Sequence, residues 1–454
     1  MSTHLVIIGG GPAGNTAASY AARLGAKVTL VECDIIGGSA HLRDCIPSKT
    51  MIATGGALTF TRRLPGMGLH GMVPEVDLDA LRVRVGAIQS HLHDATVRLL
   101  ASQNVRMIHG VGRLKGPHDV VVETSEGIEE LTADAILLCT GSRPRIPEWA
   151  EPDGDRILTT QQAYPPPRLP SHLVVIGSGV TGVEFVHMFT SFGSKVTLIV
   201  SRQQVLPAKD PEVAAALETE LLRRGVRLFK GARAQAVLRR DDGGLAVVCD
   251  DGRVAEGSHT LLAIGSIPNS DDLGLEAAGV EMDRAGYVTV NHHCQSNVAH
   301  IYAAGDLSGK LPLSSVASMQ GRKIAEHVMG LHTREHRHLD YEKAASAIFT
   351  EPEIADVGLA EAEAFASGRK LRVTKVPFSA NAKALINDQP QGFVKILSDP
   401  VTGVVLGGSI VGRHAAELIS VIALAVTCHL KVSDIVESVL VHPSLSEALA
   451  DAAE

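Results

Sequence analysis

Aromatic residues are scarce. One tryptophan, five tyrosines and nine phenylalanines make up 3% of the chain, too few for the stacking platforms that hold single-stranded nucleic acids. Basic character is lacking too. Lys and Arg number 42 against 50 Asp and Glu, a net charge of −8, and no block of Lys and Arg offers a footprint for a polyanion. These two shortages exclude nucleic acid as a partner. No apolar run reaches the ~18 residues that a membrane span requires, so no span is expected. Six cysteines are spread over 454 residues without paired spacing, which fits a reducing compartment. The opening MSTHLVIIGG enters an apolar strand at once and leaves no room for a signal peptide. The expectation is a soluble, cytoplasmic protein.

The chain is 45% hydrophobic and 20% charged, the balance of a globular protein. Its length calls for two to four domains. One pattern occurs twice: LVIIGGGPAGNTAASYAARLGAKVTLVE from Leu5 to Glu32, and LVVIGSGVTGVEFVHMFTSFGSKVTLIV from Leu173 to Val200. Each reads as apolar strand, glycine-rich turn, helix and second apolar strand. That is a βαβ unit, and it implies a parallel sheet. The prolines of AYPPPRLP, Ala163 to Pro170, suit a stiff connection before the second copy. LDALRVRVGAIQSHLHDATVRLLASQNV reads as a long helix, and the charged HTREHRHLDYEK, His332 to Lys343, as a linker. Beyond it, FVKILSDPVTGVVLGGSIVG predicts two strands around a turn, and AAELISVIALAVTCHL a helix. This is an α+β tail without a nucleotide motif.

The glycines sit where a dinucleotide requires them. In Gly9-x-Gly11-x-x-Gly14 and Gly177-x-Gly179-x-x-Gly182, the first permits the tight turn and the second lets a pyrophosphate approach the backbone. The third lets helix and strand pack closely, and the helix N-terminus faces the phosphate charge. One such motif is weak evidence; two, each between a strand and a helix, are strong. The second strands end differently. Glu32 closes the first, and its carboxylate can accept from ribose hydroxyls. The second ends in Val200-Ser201-Arg202, where an acid that would repel a 2′-phosphate is missing and a cation is present. The second site therefore leans towards NADPH over NADH.

With these residues in place, the chain resembles the flavin-dependent pyridine nucleotide–disulfide oxidoreductases of lipoamide dehydrogenase and glutathione reductase type. GGGPAG with Glu32 resembles the FAD fingerprint, CIPSK the redox helix, and LLCTGSRPRIP the Thr140-Gly141 crossing between domains. GSGVTGVE resembles the NAD(P) fingerprint and IYAAGD the second FAD motif, whose Asp306 would bond the ribityl chain. IFTEPEIADVG and HPSLSE resemble the C-terminal dimerisation domain.

The resemblance implies an α/β fold with two Rossmann-like dinucleotide-binding domains and a C-terminal α+β dimerisation domain. Residues 1–148 and 271–335 would form the FAD-binding and central part, 149–270 the NAD(P)-binding domain, and 340–454 the dimerisation domain of a homodimer. It further implies that Lys49 lies near flavin N5 with Glu184 reaching it, and that His442 and Glu447 are a base and its orienting carboxylate. In a dimer, His442 of one subunit would approach Cys45 of the other. Gly112 would form the turn under the adenine, and Gly265 joins the nucleotide-binding glycines.

The chain departs from this family at GGSAHLRDCIPSKT. The family's redox helix carries two cysteines separated by four residues. Cys45 matches the second, but Ala40 stands where the first belongs, which excludes the usual dithiol relay unless another cysteine substitutes. Cys33, Cys139, Cys249, Cys294 and Cys428 read as ordinary residues in strand or loop contexts. NHHC and EHRH lack paired ligand spacing and read as solvated loops, so no metal site is expected. The missing cysteine makes the lipoamide-dehydrogenase-like NAD(P)H quinone reductases the nearest subgroup. FAD, NADPH (with NADH possible) and a quinone are the implied cofactors and acceptor. A single-cysteine NAD(P)H peroxidase or oxidase, a soluble transhydrogenase and a non-catalytic NADPH-sensing flavoprotein stay open. Cys45 retains three readings: a vestigial packing residue, a thiolate poised by a helix N-terminus, or a thiol cycling through sulfenic acid.

Overall fold

A computed structural model describes residues 2–72, 74–331 and 339–454. The first seven residues of the expected charged linker, including EHRH, lie outside them, as does the end of the 271–335 segment. The chain divides into two compact units.

The first unit is assembled from residues 1–48, 82–145 and 266–341. Its centre is a parallel sheet ordered Ile301–Ala303, Ala135–Leu138, His4–Ile8, Lys27–Glu32 and Arg106–His109. The inner strands Ala135–Leu138 and His4–Ile8 are nearly continuous apolar runs because both faces of a parallel sheet are covered; Leu5, Val6 and Ile7 are wholly buried. The helices Pro12–Arg23 and Ser314–Val328 approach so closely that a side chain at Gly321 would run into the Ala13 carbonyl. The other face carries a three-stranded antiparallel sheet, Val111–Leu114, Asp119–Thr124 and Gly127–Thr132, whose Val120 and Val122 join Ile8 and Ile136 in one core. The expected long helix spans Leu78–Ser102.

The second unit comprises residues 49–81, 146–265 and 342–454. The second βαβ unit forms a parallel sheet ordered Arg227–Lys230, Lys195–Val200, His172–Ile176, His259–Leu262 and Ile157–Thr159. The C-terminal region is a five-stranded antiparallel sheet. The expected hairpin, Phe393–Ser398 and Val405–Gly412, forms its middle with Glu353–Gly358, and the Ala415–Cys428 helix shares its core. Lys395, with 2% of its side chain exposed, is surrounded by Glu212 at 2.6 Å, Glu361 at 2.8 Å and Asp210 at 3.6 Å. A buried ammonium needs such company.

Two expectations change. Gly112 lies inside the Val111–Leu114 strand rather than at a turn, where a Cβ would crowd Val31 and Ile8 at 3.1–3.2 Å. Cys428 ends a helix. The NHHC stretch is a loop with Asn291 and His292 exposed, as expected; its His292 and His293 rings are 4.1 Å apart, and His293 stacks on His327 at 4.4 Å.

Candidate active site

In the first unit, the Gly9–Gly14 loop has the shape that its sequence requires. Gly9 adopts φ +111°, and a Cβ at Gly14 would overlap the Gly9 carbonyl. Gly11 caps the Pro12–Arg23 helix, and a Cβ there would meet nothing nearer than the Gly38 Cα at 3.8 Å. The loop is thus closed against its own sheet and open at Gly11. Glu32 Oε2 accepts from the Gly10 N–H at 2.5 Å, and Oε1 from the Asp34 N–H at 2.8 Å. Beside the loop, Asn15 Nδ2 donates to the Gly10 carbonyl, while Asn15 Oδ1 is buried without a hydrogen-bond partner. A buried acceptor without a donor fits a site that a ligand or its waters complete. Open backbone, helix N-terminus and leftover acceptor together fit a dinucleotide.

Thr140 and Gly141 are pinned by Asn269. Thr140 Oγ1 donates to its carbonyl at 2.7 Å, Asn269 Nδ2 donates back to the Thr140 carbonyl at 2.9 Å, and its N–H donates to the Gly141 carbonyl at 2.9 Å. Ser142 Oγ donates to Asp306 Oδ2 at 2.6 Å, which ties the TG crossing to IYAAGD. Sequence reasoning missed both Asn269 and Ser142; only the position of Ser142 directly after Thr140-Gly141 hinted at it. Ala40–Cys45 is π-helical, Ser48 Oγ donates to the Cys45 carbonyl at 2.9 Å, and the six cysteines form no disulfide.

The second unit brings Lys49 and Glu184 together. Lys49 Nζ lies 2.8 Å from Glu184 Oε2 and 3.1 Å from Oε1. Glu184 has 5% of its side chain exposed and Lys49 32%. A third residue that sequence reasoning did not single out, Phe349, completes the arrangement. Its N–H donates to Glu184 Oε1 at 3.0 Å, and its ring centroid lies 4.7 Å from Lys49 Nζ. The carboxylate is held by one cation and one amide, and the cation also rests on an aromatic face.

The second glycine loop repeats the first. Gly177 adopts φ +109°, a Cβ at Gly182 would strike the Gly177 carbonyl, and Gly179 faces open space. Ser201 and Arg202 are exposed directly after the Lys195–Val200 strand. Gly265, at φ +92°, also has open space around it. His442 Nδ1 lies 2.7 Å from Glu447 Oε1, and His442 is 74% exposed. The Ser444 N–H, and then His442, hold the Glu447 carboxyl below the usual carboxylate range. One turn after Glu184, His187 is 2% exposed. Burial, aided by Arg224, lowers its pKa to about 3.

Among the described residues, no helix is long and apolar enough to cross a membrane, and no group of three or more His, Cys, Asp or Glu is placed to hold a metal ion.

Comparison with known proteins accounts for almost the whole chain. The pyridine nucleotide-disulphide oxidoreductase family matches residues 3–321, and its dimerisation domain matches residues 344–453. An NAD(P)H dehydrogenase (quinone) of Mycobacterium tuberculosis is 42% identical, over 100% of this chain and 94% of its own. A dihydrolipoyl dehydrogenase of Zymomonas mobilis is 35% identical, over 98% and 96%. The crystal structure of LpdA from Mycobacterium tuberculosis superposes with a TM-score of 0.94 at 41% identity, covering 99% of both chains. The HOCl-induced flavoprotein disulfide reductase RclA of Escherichia coli gives 0.87 at 25% identity, also covering 99% of both. The chain therefore belongs to the pyridine nucleotide-disulphide oxidoreductase family, flavin-dependent enzymes that use NAD(P)H.

Proposed function

We propose that this protein is a homodimeric NAD(P)H:quinone oxidoreductase that passes electrons to its acceptor without a dithiol relay. The observation that carries this reading is Ala40, which leaves Cys45 without the sulfur that its family position requires, while the Lys49–Glu184 pair stays intact. The relative named NAD(P)H dehydrogenase (quinone) supports the choice of acceptor.

In this reading residues 1–148 and 271–335 hold FAD, through Gly9, Gly11, Gly14, Glu32, Gly112, Thr140, Gly141 and Asp306. When bound, FAD accepts a hydride from NAD(P)H and releases electrons singly or in pairs, so a protein thiol is not required. Residues 149–270 hold the nicotinamide coenzyme, through Gly177, Gly179, Gly182 and Gly265. Ser201 and Arg202 favour the 2′-phosphate of NADPH. Lys49 places a cation where negative charge develops, and Glu184 holds it there. Residues 340–454 form the dimer contact. The His442–Glu447 pair of one subunit serves the site of the other and donates a proton to the reduced quinone.

A peroxidase is the second reading, favoured by the retention of Cys45 together with the short His442–Glu447 hydrogen bond. NADPH oxidation measured in parallel with a menadione-like quinone, hydrogen peroxide and lipoamide separates the two. Quinone turnover that survives Cys45→Ser with less than a tenfold loss, under about 1.4 kcal/mol of barrier, fits the proposal. A thousandfold loss overturns it. Peroxide turnover that disappears in the same variant favours the peroxidase.

A further inference from the structure

Residues 201–210 lead from the end of the Lys195–Val200 strand to the Pro211–Arg223 helix, and begin with Ser201 and Arg202. The segment is irregular, yet it is fastened along its length. The Arg202 carbonyl accepts from the Gly231 N–H at 3.0 Å. The Leu206 N–H donates at 2.8 Å to the carbonyl of Ser178, inside the second glycine loop. Gln204 Nε2 donates to the Lys209 carbonyl at 3.1 Å. Leu206 is 1% exposed and adopts φ +49°, left-handed backbone that a bulky residue keeps only where its surroundings over-determine it.

The far end of the segment is held by the C-terminal antiparallel sheet. Lys209 Nζ lies 2.6 Å from Asp356 Oδ2 and donates to Ser346 Oγ at 2.8 Å, and that hydroxyl donates on to Asp356 Oδ1 at 2.8 Å. Asp210 caps the Pro211–Arg223 helix by accepting from the Glu212 N–H at 2.9 Å. Both acids face Lys395 of the Phe393–Ser398 strand, the buried ammonium whose third carboxylate is Glu361. Lys375 of the Arg372–Pro377 strand pairs with Glu212 as well. Burial opposes the charge on Lys395, but Glu212, Glu361 and Asp210 outweigh it and hold its pKa above the ordinary lysine value.

An apolar contact makes no directional demand. A buried ammonium moved off its acids, by contrast, becomes an unpaired charge. Lys395 and Lys209 therefore fix where residue 210 stands on the sheet. Because Leu206 is bonded to Ser178, they also bear on the spacing between the glycine loop and Arg202. A coenzyme held at its pyrophosphate and at its ribose end binds best where that spacing is set before it arrives.

We propose that Lys395 and Lys209 are positioning residues for the nicotinamide coenzyme, acting through residues 201–210 on the second glycine loop and on Arg202. The inference rests on the reading that this loop and Arg202 hold the coenzyme. It gives the C-terminal sheet a part in setting the coenzyme site of its own chain.

Anaerobic stopped-flow reduction of the FAD-loaded protein by NADPH, and separately by NADH, reads an apparent Kd and a limiting rate with no acceptor present. Lys395→Met and Lys209→Met should each raise the apparent Kd for NADPH about tenfold, with the limiting rate within about twofold of the wild type. Lys209→Arg, which keeps the charge, should lose less. A fall in melting temperature with both apparent Kd values unchanged would mean that the lysines only hold the unit together, and would overturn the proposal. So would a loss confined to the limiting rate. Where Lys395→Met fails to fold, Lys209→Met, at a side chain 20% exposed, decides alone. Arg202→Ala and Gly179→Val run alongside. If neither weakens either coenzyme, the coenzyme reading falls and the proposal with it; if they weaken binding while the lysine variants do not, the proposal alone falls.

Discussion

The Glu184 carboxylate, nearly buried, receives the Lys49 ammonium at 2.8 Å, while Lys49 itself stays one-third exposed. The two partners therefore do not contribute equally. Removing the cation leaves a buried charge that, among the described residues, keeps the Phe349 N–H as its hydrogen-bond donor; removing the acid leaves a cation that water can reach. Lys49→Met should lower stability by about 1–3 kcal/mol, and Glu184→Gln by less, as read by chemical denaturation of both variants. In stopped-flow measurements, Lys49→Met should also slow flavin reduction by NADPH on the order of a hundredfold. Equal destabilisation by the two variants would contradict this asymmetry.

The two ends of the first glycine loop should fail in different ways. A Cβ at Gly11 has room in the protein, whereas one at Gly14 overlaps the Gly9 carbonyl. If this loop holds FAD as proposed, Gly11→Val should fold and melt near the wild type yet purify colourless, because its side chain would fill the space that the pyrophosphate needs. Gly14→Val should lose thermal stability even before flavin content is considered. Absorbance at the flavin band and melting temperature, measured together, separate the two outcomes. Stoichiometric flavin in Gly11→Val would remove this loop from the FAD site.

Arg202 sets the third prediction. It is exposed and follows the strand end where the first unit carries Glu32. If it receives the 2′-phosphate, Arg202→Ala should cost NADPH about 1–3 kcal/mol in kcat/KM and leave NADH nearly unchanged. An unaltered ratio of the two specificity constants would dismiss it from the site.

His187 makes stability depend on pH. Its ordinary value is near 6.5 and its folded value about 3, so between those two values the unfolded chain binds more protons than the folded one. Stability is full above about pH 6.5 and falls as pH drops through that window, by about 2 kcal/mol at pH 5. His187→Phe should flatten the difference in melting temperature between pH 7 and pH 5. An unchanged difference would assign the acid sensitivity to other groups.

Much of this was legible beforehand, for identifiable reasons. Gly9, Gly14, Gly177 and Gly182 stand where a side chain would meet backbone, and such steric demands leave a plain mark in the sequence. Lys49 and Glu184 could be paired only through the family resemblance, since 135 residues separate them. Phe349 escaped notice because half of its contribution is a backbone N–H, which any residue but proline supplies. Asn269 escaped because it grips Thr140 and Gly141 from 129 residues away. Gly112 was expected, from the family resemblance, at a turn under the adenine; here glycine serves to admit Ile8 and Val31. The acids around Lys395 come from positions 210, 212 and 361, and no local pattern announces such an assembly.

The interleaved layout of the first unit has a consequence for the protein's birth on the ribosome. Its sheet pairs Ala135–Leu138 with Ile301–Ala303, and its Pro12–Arg23 helix waits for Ser314–Val328 to cover it. At ordinary elongation rates, roughly ten to thirty seconds pass between synthesis of those two strands. During that interval an apolar edge strand and an alanine-lined helix face stand open on the nascent chain, while the sheet of residues 157–262 is already long enough to close upon itself. The first unit, begun first, is thus finished only after the strands of the second βαβ unit have been made. It is the part that most needs shelter from neighbouring chains until residue 328 has emerged.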